Sequence, residues 1–144
     1  MAAFVKYYSF VYDLCDGSHD LNDTSTLRVM LLTASYTPNV ATDAVKGDID
    51  TNEISYTNLT PSSAADVANA RTDATGTVTI AGTDITFNCS GGASESFRYA
   101  VLYNDTPTSP ADPLIGYWDY GSTVQLANGE SFTVDFGASI FTVT

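Results

Sequence analysis

GTVTIAGTDITFNC (residues 76–89) decides the fold class, because its apolar side chains recur at every second position on either side of a turn-forming AGTD. Val78 and Ile80 on the first arm and Ile85, Phe87 and Cys89 on the second supply one apolar face. Thr77, Thr79 and Thr86 fall on the opposite face, where a hydroxyl can meet water. The stretch predicts a β-hairpin.

The same reading extends in both directions. TLRVMLL (26–32) is apolar on both faces, with Leu27, Val29 and Leu31 to one side and Arg28, Met30 and Leu32 to the other, as in a buried strand. Strands are also predicted at 97–103, 114–120, 123–126, 131–136 and 139–143, and Asn128–Gly129 reads as the turn of a second hairpin. Residues 20–25 read as a turn, and residues 34–61, with two prolines and many Asp and Asn, as a long loop excursion with short extended pieces such as 54–59. The spacing allows a short helix over 4–15, with Phe4, Tyr8, Val11 and Cys15 on one face to be packed against the domain and Gly17 as a stop. The expected fold is mainly β: one domain over 1–144, an antiparallel β-sandwich or partly open barrel, with that N-terminal helix attached. The 20 threonines suit this reading.

At 144 residues the chain can bury a real core without metals or disulfides. Fourteen Asp and three Glu against five Lys and Arg give a net charge of -12, which repels phosphate backbones and anionic lipid heads. Neither nucleic acid nor membrane is therefore an expected direct partner. The N-terminal apolar run lacks a basic opening and a small-residue cleavage site, which argues against a signal peptide. Cys15 and Cys89 are too few for a disulfide framework or zinc site and read as reduced core thiols.

Catalytic chemistry finds little support in the residue pattern. The single histidine, His19, sits between Ser18 and Asp20, and consecutive side chains diverge too far to form a triad. Cys15 and His19 have i,i+4 spacing, but Gly17 between them favours a helix end. DIDTNE (48–53) resembles the first ligand positions of a calcium loop, yet Glu53 stands where glycine is needed and Leu59 where the bidentate glutamate belongs, so a solvated turn is expected. The reading is of a non-enzyme, with no catalytic, cofactor or metal residues assigned. Aromatic density is the stronger signal. Tyr99, Tyr103, Tyr117, Trp118 and Tyr120 divide between core packing and a docking surface. The candidate interface residues are Tyr103, Asn104, Asp105, Tyr117, Trp118 and Tyr120, with the loops 104–113 and 34–61 as the preferred contact regions.

FRYAVLYNDT (97–106), PLIGYWDYG (113–121) and NGESFTVDF (128–136) resemble segments of small virion structural proteins of tailed bacteriophages, most of all those that decorate or cement capsids. Weaker similarity runs through TLRVMLL (26–32), DIDTNEI (48–54) and TGTVTIAGTDITF (75–87). The resemblance implies a homo-oligomer, with a trimer among its candidate symmetries, seated on the major capsid protein at the outer capsid surface after synthesis in the bacterial cytoplasm. A tail or head-to-tail adaptor component is the structural alternative. A carbohydrate-binding receptor module, suggested by the aromatics alone, is the alternative of another class.

Overall fold

The computed structural model describes residues 2–21 and 26–144; of the turn expected at 20–25, residues 22–25 lie outside the described part. In chain order the strands are β1 (Phe4–Lys6), β2 (Leu27–Leu32), β3 (Leu59–Thr60), β4 (Ala65–Val67), β5 (Asn69–Ala74), β6 (Thr77–Gly82), β7 (Ile85–Cys89), β8 (Phe97–Asn104), β9 (Leu114–Val124), β10 (Ser131–Val134) and β11 (Phe141–Val143). One helix, α1 (Tyr8–Cys15), lies between β1 and β2. The strands form a five-stranded sheet in the order β1-β9-β8-β2-β4 and two three-stranded sheets, β10-β7-β3 and β11-β6-β5, with every ladder antiparallel. The result is a single mainly-β domain in which the described residues close no barrel.

The five-stranded sheet is buried on both faces, as the apolar run of β2 demands. Leu27, Val29 and Leu31 join Ala100, Leu102, Ile115 and Trp118 against Ile80, Ile85, Phe87 and Val134 of the two smaller sheets. Met30, Leu32, Val101, Tyr103 and Leu114 meet Tyr7, Tyr36 and Ile49 on the other side. The 34–61 excursion thus covers the second face, using two short 3-10 turns, Lys46–Asp48 and Asp50–Asn52.

Both expected hairpins are corrected. The strands at 76–89 exist with the expected alternation, but β6 pairs with β5 and β11 while β7 pairs with β10 and β3. The segment between them crosses from one sheet to the other: Thr83 N–H bonds Ala68 O, and Asp84 accepts the Phe136 N–H. Asn128–Gly129 likewise forms a turn, with Glu130 N–H to Ala127 O, yet β9 and β10 belong to different sheets. The local hairpin is β5–β6, through Thr75 and Gly76, whose φ values of 54° and 79° are those of a tight two-residue turn. Turn residues specify a reversal of direction, and which strand becomes the neighbour is settled by where apolar faces can be covered.

The helix is also shorter than 4–15 and faces the other way. Residues 4–6 pair with β9 as a strand, and Tyr7 N–H continues to Ile115 O. Helix α1 begins only at Tyr8 and stops where Ser18 N–H bonds Asp13 O, beyond Gly17. Phe10 is its buried aromatic, against Phe141 and His19, whereas Tyr8, Val11 and Cys15 are exposed. The approach of β1 depends on Gly116. A Cβ there would strike the Phe4 ring and lie 2.7 Å from Val5 O. Gly116→Ala is expected to cost about 1–3 kcal/mol and to loosen β1, raising hydrogen exchange at Phe4–Lys6 more than in β2; unchanged exchange in β1 would contradict this account.

Candidate functional site

The six candidate interface residues do not form one surface. Tyr103, Asn104 and Trp118 are buried, Trp118 between the rings of Phe4 and Phe136, and this corrects their expected placement at a docking face. Tyr117 is half-buried beside Tyr7 and Tyr99, and Tyr120 packs edge-on against Phe132. Asp105 remains at the margin, 3.1 Å from Arg28. Aromatics in a sheet covered on both faces find core partners before they find solvent.

The two loops chosen as contact regions do meet. Lys46 N–H bonds Asp112 O and Leu114 N–H bonds Ala44 O, fastening the 34–61 excursion to the 104–113 loop. Beside the excursion lies a cavity of about 420 Å³, between Lys46, Glu53 and Tyr56 on one side and Arg28 and Tyr103 of the sheet on the other. Both of its cations are held by carboxylates of the same chain. Lys46 lies 3.3 Å from Glu53 and over the Tyr103 ring, and Arg28 lies 2.6 Å from Asp66. Glu53 also accepts the Tyr56 hydroxyl, which accepts Leu31 N–H. Burial lowers the Lys46 pKa, but Glu53 and Tyr103 outweigh it and the net shift is upward. Asp48 accepts the N–H groups of Ala44 and Val45, so DIDTNE is occupied in shaping its own turns. Among the described residues no group of three or more His, Cys, Asp or Glu is placed to hold a metal ion. This cavity is a seam between the excursion and the sheet.

His19 is buried at the end of β8. Asn104 Oδ1 accepts Thr106 N–H, which turns the amide nitrogen toward His19 Nδ1 at 3.3 Å. Nδ1 therefore accepts and the ring proton resides on Nε2, which has no partner among the described residues. Desolvation lowers the imidazole pKa to about 4, so the ring is neutral near pH 7 and too weak a base to accept a proton there. Cys15 is exposed, correcting its expected place in the core, while Cys89 is buried and donates to Gly92 O.

The outer side of α1 is the remaining feature, and residue patterning assigned it to the core. Tyr8 is 63% exposed and Tyr12 70%, with Val11, Cys15 and nearby Val5 also exposed. Tyr8, Val11, Tyr12 and Cys15 stand at i, i+3, i+4 and i+7, one continuous stripe on the helix. Large apolar residues grouped on an acidic surface mark an attachment site more than isolated ones do. The segment is aromatic on all sides, so periodicity could not tell the inner face of Phe10 and Leu14 from this outer one. Comparison with family models, curated proteins and solved structures returns no match for this chain.

Proposed function

We propose that this protein is a non-enzymatic attachment module, a phage virion component that decorates or cements the capsid by binding the major capsid protein. The observation that carries the reading is the stripe of Tyr8, Val11 and Tyr12 held outward on a helix that is anchored to the sheet through β1 and Phe10. Tyrosine combines a large apolar surface with a polar edge and is favoured at interface centres. The resemblance of residues 97–106, 113–121 and 128–136 to capsid-decorating proteins supplies the kind of partner. Repeated sites on a shell would let a modest contact hold many copies, since attachment at neighbouring positions raises effective concentration. The net charge of -12 keeps free copies apart before assembly.

Co-sedimentation tests the proposal. The purified protein is expected to bind mature capsids saturably, and Tyr8→Ala combined with Tyr12→Ala to weaken binding by roughly tenfold or more. Binding confined to isolated tails would reject the capsid assignment in favour of the adaptor alternative.

A further inference from the structure

His19 makes only one of the two hydrogen bonds its ring offers. Asn104 engages Nδ1, while the buried Nε2–H has no acceptor among the described residues. The residue is 4% exposed, and a buried donor left unpaired is disfavoured in the free protein. His19 also lines a cavity of about 440 Å³. One wall of this cavity belongs to the sheet β11-β6-β5. Val143 and Asp73 flank Val78 in register, and Arg71 stands opposite Ile80, so these side chains share one face. The other wall comes from Leu14 near the end of α1 and from His19, Asp20 and Leu21 beyond it. Leu14 belongs to the inner face of α1, so the cavity is separate from the exposed stripe. Its size and mostly apolar lining, with few polar groups, are those of a small-molecule site.

We infer that this cavity binds a small uncharged amphiphile, an apolar body bearing an oxygen that accepts the His19 Nε2–H. The apolar body follows from Leu14, Leu21, Val78, Ile80 and Val143 in the walls. The head group follows from what each alternative would meet. A hydrocarbon leaves Nε2–H unpaired. An ammonium has no lone pair to offer it. A carboxylate would accept the bond, but it would enter a cavity lined by Asp20 and Asp73 against Arg71 alone, on a chain of net charge -12. Desolvation keeps the imidazole neutral near pH 7, so the ring calls for an acceptor and not for a counter-ion. A hydroxyl accepts without bringing charge and keeps a proton of its own to donate.

NMR titration of the isotope-labelled protein with 1-hexanol, hexanoate and hexylammonium tests this, because the three probes share one apolar body and differ only in the head. Saturable binding of 1-hexanol at pH 7 is expected, with each charged probe weaker by roughly fivefold or more. The His19 Nε2–H resonance is expected to move downfield in step with saturation by 1-hexanol, which reports the new bond directly. His19→Phe keeps an aromatic ring beside Phe10 and removes the donor; it is expected to weaken 1-hexanol by roughly fivefold. Val78→Phe fills the cavity from the sheet and leaves His19 in place; it is expected to abolish binding while the Nε2–H resonance of the free protein stays where it is in wild type. The measurements on wild type need no variant to fold. Equal affinity for the three probes, an Nε2–H resonance unmoved at saturation, or shifts that rise linearly without saturating would overturn the inference.

Discussion

Trp118→Ala is expected to lower the unfolding free energy by about 3–5 kcal/mol and the melting temperature by roughly 10–15 °C. Trp118 is 4% exposed, with its ring 5.0 Å from Phe4 and 5.7 Å from Phe136. Truncation would open a cavity where β1, β9 and the segment after β10 meet. Against a typical native margin of about 5–15 kcal/mol, that loss is large enough to leave the variant partly unfolded at growth temperature. Urea denaturation measures it. A variant with an unchanged midpoint but impaired capsid binding would return Trp118 to the docking surface, against the packing described above.

The second large effect lies in acid. His19 has a pKa of about 4 in the folded protein against 6.5 in an unfolded chain. Between these values the unfolded state binds the proton and the native state does not, so stability rises with pH across the window and falls as pH drops from about 6.5 toward 4. The 2.5-unit difference corresponds to a loss on the order of 3 kcal/mol. Asp13 and Asp112, whose pKa values are raised first of all by desolvation, act with the opposite sign because they bind protons more readily when folded. A His19→Gln variant, which keeps an acceptor for Asn104 and does not titrate, separates the contributions. The difference in stability between wild type and variant is expected to change by about that amount between pH 7 and pH 4, and a flat difference would show that His19 is not buried in its neutral form.

These two sites also show what was legible from residues alone. The alternation at 85–89 and the double-sided apolarity of 27–32 located strands correctly, because those patterns follow from a two-residue period and from coverage of one face or two. Pairing was not legible. Asn128–Gly129 and the AGTD segment have the composition of hairpin turns, but each carries the chain between layers. β5, NARTDA, has so little apolar character that only its partner β6 makes it a strand. A bulge between Phe97 and Tyr99 moves these two residues to opposite faces of the five-stranded sheet, which strict alternation would have placed together. Aromatic density drew the candidate site to residues such as Tyr103 and Trp118, which are buried, whereas Tyr8 and Tyr12, in a segment read as a packed helix, are exposed.

The passage of β6 to β7, and of β9 to β10, from one sheet to another governs when this polypeptide can assume its shape. β7 waits for β10, and β6 has one neighbour until Phe141–Val143 arrives to pair with it. Contacts between such distant parts of a chain form slowly, because most of the loop entropy is lost before the ladder begins to compensate. During synthesis the early strands therefore emerge with their apolar faces uncovered, and assembly of the two smaller sheets is completed only after residues 131–143 have left the ribosome.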